Sequence, residues 1–198
     1  MTFGDIVKFI VGPIFRLFQP IYVDGIENFD MEKPFVLCAN HKSNLDVVAL
    51  YIACPKNINF MAKAELFTFK PFGALLKKLG AFPVKREQND LTAIKTALKV
   101  LKDGKILGIF PQGTRVRDDS DDDTAKAGAV LIASKSNVPI LPVAIITDYK
   151  PFRPIRIKMG KMIDVTSDHR LTNEEIQIKA NEVMHKISIM RKGEKIYG

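Results

Sequence analysis

Apolar residues recur at helical spacing over residues 2–18. Phe3, Ile6, Val7, Ile10, Ile14, Leu17 and Phe18 fall on one face, while Asp5, Lys8, Gly12, Arg16 and Gln19 track the other. Pro13 predicts a kink or a fresh start within this segment. Short extended runs follow at Ile21-Tyr22-Val23 and Phe35-Val36-Leu37, with turn residues around Gly25 and Asn28 between them. Val47 to Ile52 continues as an apolar helix that ends near Pro55, and Ile58-Asn59-Phe60-Met61 reads as a strand. A strand ends at Val84, and residues 89–102 predict an amphipathic helix with Leu91, Ile94, Leu98 and Leu101 inside and Gly104 as its cap. Ile106 to Phe110 and Val138 to Ile146 are buried-type strands. Between them Lys126 to Ala133 opens a helix of small residues. Ile155 to Met159 alternates like a more exposed strand, and Thr172 or Asn173 caps a last helix running to about Met190.

The chain is organised around Cys38-Ala39-Asn40-His41-Lys42-Ser43-Asn44-Leu45-Asp46, a polar loop between a strand and a helix. That junction is where α/β proteins place chemistry. His41 and Asp46 diverge by about 140° if both lie on one straight helix. They meet only if His41 is in the loop and Asp46 in the first helical turn, with Ser43 or Asn44 as the cap. So arranged, they form a general base and its orienting carboxylate. No GxSxG elbow supplies a nucleophile, so the hydroxyl that loses its proton belongs to a substrate. The bland alternative is a hydrogen-bonded loop histidine beside a helix-start aspartate.

Composition narrows the setting. At 198 residues, 46% hydrophobic and 26% charged, the chain suits one domain with a sizeable core. No apolar run is long and uncharged enough to predict a transmembrane helix, and no cleavage site marks a signal peptide. Cys38 and Cys54 form no CxxC pair and no Cys/His cluster, which fits a reducing compartment and offers no zinc site. The net charge of +8 asks for an anionic partner. Nucleic acid has only the charge in its favour, whereas a membrane surface or an anionic substrate has more. Leu66, Phe67, Phe69 and Phe72 crowd around Pro71 and Gly73 between Lys63, Lys70, Lys77 and Lys78. Aromatics ringed by lysines suit a membrane interface, as does the Phe-rich first helix. Both segments also fit plain packing on the core.

Further anion-binding candidates sit at the ends of strands. Lys85 and Arg86 form a basic pair. Gly113 permits a tight turn after Pro111-Gln112, and Thr114 and Arg115 follow where they can face an anion. The acidic run Asp118 to Asp123 lacks EF-hand spacing and reads as a solvated loop.

Four ordered blocks together resemble the glycerolipid acyltransferases, closest to the bacterial 1-acylglycerol-3-phosphate (lysophosphatidate) acyltransferases. They are the NHxxxxD block at Asn40-His41 to Asp46, and the strand from Gly80 ending in a basic residue at Arg86. The third is the FPEGTR block, here Phe110-Pro111-Gln112-Gly113-Thr114-Arg115, and the fourth is the VPIxPV strand from Val138 to Val143. The resemblance covers roughly residues 20–165. It implies a single-domain α/β fold of the glycerophosphate-acyltransferase type, with a mostly buried sheet flanked by helices. Residues 1–19 would be an amphipathic, membrane-interfacial helical segment and residues 20–198 the acyltransferase domain.

The resemblance also implies roles. His41 and Asp46 would be catalytic. Asn40, Lys85, Arg86, Gln112, Gly113, Thr114, Arg115 and Lys126 would bind substrate. Lysophosphatidate would be the acceptor and phosphatidate the product. The acyl group would arrive on coenzyme A or acyl carrier protein as co-substrate, with no cofactor and no metal. The place of work would be the cytoplasmic face of an anionic membrane, with the protein bound peripherally or monotopically. One departure touches the acceptor region: Gln112 stands where the family has Glu, keeping hydrogen-bonding reach without charge. Acylation of another lysolipid or hydroxy-lipid, and a non-catalytic lipid-binding protein, are the competing readings.

Overall fold

The apolar runs between the helical stretches pair into one sheet. In the computed structural model, which describes residues 2–85, 90–113, 125–167 and 169–193, its strands are β1 (Ile21–Asp24), β2 (Val36–Ala39), β3 (Ile58–Lys63), β4 (Phe82–Val84), β5 (Ile106–Ile109), β6 (Ile140–Ile146) and β7 (Ile155–Met159). The helices are α1 (Phe3–Phe18), α2 (Leu45–Ala53), α3 (Lys70–Lys78), α4 (Leu91–Lys102), α5 (Gly128–Lys135) and α6 (Asn173–Lys192). The sheet order is β1-β7-β6-β2-β5-β3-β4. The strands from β2 to β6 run parallel to one another, while β7 is antiparallel to β6 and β1 is parallel to β7. Every residue of β2 and of β6 is buried, as continuous apolar strands covered on both faces must be. β7 alternates between buried and half-buried, as its sequence predicts.

Connectivity places the site. After β2 the chain passes through α2 to β3, beyond β5; after β5 it returns through α5 to β6, on the far side of β2. Right-handed crossovers in opposite directions lie on opposite faces. The packing agrees. Ala49 and Leu50 of α2 join Leu37, Ala39 and Phe60 in one core layer, and Ala129 and Ile132 of α5 join Val36, Cys38 and Leu107 in the other. The carboxyl ends of β2 and β5 are therefore neighbours whose chains leave in opposite directions. That is the switch point at which such sheets open a crevice.

Two helices sit differently from the expectation. On α4, Leu101 is buried and Ile94 and Leu98 pack against the core as expected, but Ala93 and Ala97 are buried as deeply as Leu101, and Leu91 is 67% exposed. Small residues bring a helix closer to a sheet than leucines do, so the alanine stripe takes the core face. α1 is a single helix through Pro13 rather than two segments, with that proline on the exposed side. Moreover α1 presents its polar, small-residue face to the body. Lys8 Nζ donates to the carbonyls of Cys54 and Lys56 at 2.9 and 3.1 Å, just past the end of α2. A β-carbon on Gly4 would collide with the Tyr51 hydroxyl and the Asn57 amide. The apolar face of α1 points outward, with Phe9 74% and Leu17 68% exposed. Among the described residues no helix is long and apolar enough to cross a membrane.

Candidate active site

His41 lies two residues beyond β2 and Asp46 in the first turn of α2, the one arrangement in which residues at this spacing can meet. His41 Nδ1 donates to Asp46 Oδ2 at 2.9 Å. The same oxygen accepts the backbone N–H groups of Lys42 and Ser43, each at 2.7 Å. The carboxylate thus folds the loop around itself. It does the work expected of a capping side chain, since Asn44 makes no capping bond and the Ser43 hydroxyl accepts only from the N–H of Leu45, at 3.2 Å. Asp46 is fully buried and His41 nearly so. A carboxylate has no proton to give, so Nδ1 carries the hydrogen and Nε2 the lone pair, which makes Nε2 the base.

β5 supplies the other wall. Phe110, just past its end, stacks on the His41 imidazole at 4.0 Å and 19°. Its ring also lies nearly parallel to that of Phe60 of β3, 5.9 Å away. Gly108 makes room for that stack, because a β-carbon there would strike the Phe60 ring. Gln112 turns its Oε1 to the His41 backbone N–H at 3.0 Å. An amide oxygen accepts this bond as a carboxylate oxygen does, which explains how Gln serves at a position where Glu is usual. Gly113 has φ 71°, the left-handed region, and the Lys126 side chain lies across its α-carbon. A side chain at 113 would displace that lysine.

Beyond Phe110 opens a cavity of about 500 Å³. Met61, Ile94, Ile109 and Ile132 make it mostly apolar, and Lys85, Lys126 and Asp90 stand in its lining. The structure therefore brings His41, Asp46, Gln112, Gly113, Lys126 and Lys85 to the carboxyl edge of the parallel strands. Asn40 is turned away. Its Nδ2 donates to the Ile145 carbonyl at 3.0 Å and its Oδ1 accepts the Ile145 N–H at 2.8 Å. This side chain extends the β2–β6 ladder past the end of β2, a structural duty that occupies its amide. Arg86, Thr114 and Arg115, and the acidic run at 118–123, lie outside the described residues.

Sequence reasoning assigned no role to two neighbours of the base. Phe110 stood in a quoted block, but only as part of its pattern. Tyr149, whose hydroxyl donates to Asp46 Oδ1, is 103 residues from its partner and carries no local signal. Its one advance clue is topological: it follows β6, which lies next to β2. Burial, and then the Asp46 charge, push the Tyr149 phenol well above its usual range, so it is a donor.

A buried imidazole–carboxylate pair at the switch point of a parallel sheet is an arrangement able to take a proton from a hydroxyl. Residues 20–146 match the family model described as Acyltransferase, and the chain belongs to that family. The 1-acyl-sn-glycerol-3-phosphate acyltransferase of Bacillus subtilis (strain 168) is 44% identical over 119 residues, which is 60% of this chain and 58% of that protein. The enzyme of the same name from Streptococcus pneumoniae (strain ATCC BAA-255 / R6) is 34% identical over 167 residues, 81% of this chain and 61% of that one. The chain thus spans about three fifths of the length of these curated relatives. The crystal structure of the 1-acyl-sn-glycerophosphate (LPA) acyltransferase PlsC from Thermotoga maritima superposes with a TM-score of 0.72 at 25% identity, covering 97% of this chain and 80% of that one.

Proposed function

We propose that this protein transfers a fatty acyl group from a thioester to the free hydroxyl of lysophosphatidate, giving phosphatidate. The observation that carries the reading is the buried His41–Asp46 pair, stacked on Phe110, which in turn lines a cavity with apolar walls, Lys85, Lys126 and Asp90. The names of the relatives support the choice of acceptor. Nε2 takes the proton of the acceptor hydroxyl, and the oxygen attacks the thioester carbonyl. The tetrahedral intermediate collapses, the new ester forms, and the C–S bond breaks. The proton on Nε2 passes to the departing thiolate, which restores the base. Asp46 holds the ring and stabilises its cationic form in between. Lys85 and Lys126 meet the acceptor phosphate, and the apolar walls receive an acyl chain. Coenzyme A or acyl carrier protein delivers the acyl group.

The work is done at the cytoplasmic surface of an anionic membrane, with the protein bound peripherally. The outward apolar face of α1 supports this, as does the exposed Phe69 and Phe72 with Lys70, Lys77 and Lys78 on or beside α3. The two patches adjoin, since Lys78 Nζ lies 5.4 Å from the Phe3 ring centroid. Purified protein, given lysophosphatidate and each donor in turn, should form phosphatidate by lipid mass spectrometry. Product from a different lysolipid, with none from lysophosphatidate, would move the acceptor assignment. No product from any lysolipid would end the reading.

A further inference from the structure

Asp46 has two carboxylate oxygens, and the acyl-transfer reading above uses only one of them. Oδ2 takes the His41 ring and two backbone N–H groups. Oδ1 is held from the far side by the Tyr149 hydroxyl. Tyr149 rides on residues 147–154, the strap between β6 and β7. The strap is unusual in its backbone: Tyr149 has φ 54° and Phe152 φ 62°, both in the left-handed region. Side chains of this bulk adopt such angles only where their surroundings impose them.

The surroundings here are specific. The Tyr149 N–H donates to Thr147 Oγ1 at 3.0 Å. The Phe152 N–H donates to the Phe18 carbonyl at 2.7 Å, and Gln19 Nε2 donates to the Lys150 carbonyl at 2.8 Å. The Phe18 and Phe152 rings are 5.8 Å apart. One end of the strap thus grips the carboxylate while the other is moored on the end of α1.

We propose that Tyr149 is a positioning residue of the reaction: it clamps Oδ1 so that the Asp46 carboxylate cannot rotate away from His41 Nδ1, and the mooring of its strap on α1 holds the clamp in place. The proposal rests on the acyl-transfer reading. Without the clamp, Oδ1 is a buried acceptor with no donor, and the carboxylate turns toward whatever donor it can reach. The imidazole then loses its fixed orientation while the binding cavity, on the other side of Phe110, is untouched.

The test is Tyr149→Phe, which removes one O–H and keeps the ring. With detergent-solubilised lysophosphatidate, kcat should fall about tenfold to hundredfold, the usual worth of a hydrogen bond to a charged group, while the KM of both substrates stays put. Incorporating 3-fluorotyrosine at position 149 restores the O–H in the same shape and should bring kcat back to within about twofold of wild type. Proton NMR gives a readout independent of turnover. The His41 Nδ1–H, protected in the wild type, should broaden in the Phe variant. Should that variant fail to fold, the near-isosteric Thr147→Val frees the Tyr149 backbone and should lower kcat severalfold at unchanged KM. Wild-type kcat in the folded Phe variant, or in Thr147→Val if Phe does not fold, overturns the proposal. So does a rise in KM alone, or a sharp Nδ1–H signal in the Phe variant. Failure of the acyl-transfer reading looks different, because the wild type itself would then make no product.

Discussion

At the scale of the residue, burial decides what each polar side chain can do. His41 is stacked and enclosed. His41→Ala therefore removes the base and also leaves a hole, whereas His41→Gln removes the base with less loss of volume. Both should cut transfer by about 10²–10⁴-fold, the range of general base catalysis, and the Ala variant alone should show a clear loss in Tm. Turnover near wild type in either would dismiss the mechanism. Asp46→Asn should be as severe, because an amide cannot accept the His41, Lys42 and Ser43 donors and Tyr149 together while stabilising an imidazolium. Asn40 belongs to a different ledger. Asn40→Ala strands the buried N–H and C=O of Ile145, at about 2 kcal/mol, or about 4–8 °C in Tm for a chain of this length. Calorimetry should show that loss, and the KM for lysophosphatidate should not move. An unchanged Tm with a raised KM would return Asn40 to the substrate.

The element that sequence pattern alone leaves ambiguous is α1. Its two faces were legible from the spacing, but not which of them would be dry. Gly4 and Lys8 decide it. Gly4 lets the backbone approach Tyr51 and Asn57, and Lys8 satisfies carbonyls just past the end of α2, so the small polar face docks. Burial pushes the Lys8 ammonium down, though the carbonyls keep it bonded. Large apolar residues are then left in water unless a membrane takes them. Replacing Phe9 and Leu17 together by serine should abolish most binding to anionic vesicles and leave Tm unchanged, as read by flotation and calorimetry. Salt should weaken wild-type binding without eliminating it, since only the lysine contribution is screened. A variant that floats with vesicles like the wild type would show that α1 does not face lipid.

For the whole molecule, the sheet order makes the site and the core makes it pH-sensitive at the alkaline end. Cys54, just past the end of α2, is buried, and burial pushes its thiol up to about 12. Burial raises Cys38, Tyr51 and Tyr149 as well. The folded protein thus holds protons that the unfolded chain releases from about pH 9 upward, so this contribution is complete below that pH and is lost as pH rises toward 12. Lys8, lowered by burial, opposes the trend with one group. Tm should fall steadily from about pH 9 to 11, and Cys54→Ala should flatten the fall. A Tm independent of pH in that window would show that these groups are not closed to water in solution.

What the sequence determined by itself was local. Strand and helix positions follow from periods of two and 3.6 and from caps such as Thr172, which forms a capping box with Glu175. His41 and Asp46 were legible because five residues and a loop–helix junction leave few ways for them to meet. The turn at Gly113 was legible for the same reason: short-range geometry demands a residue that accepts a positive φ there. Tertiary structure alone decided the rest. It set Phe110 on the imidazole, the Gln112 oxygen on the His41 N–H, Asn40 into the ladder of β6, and Tyr149 on Asp46. Each of those contacts joins segments 69 to 105 residues apart in the chain. They exist because β5 and β6 flank β2 in the sheet, and no pattern confined to a window of fifteen residues contains a strand order.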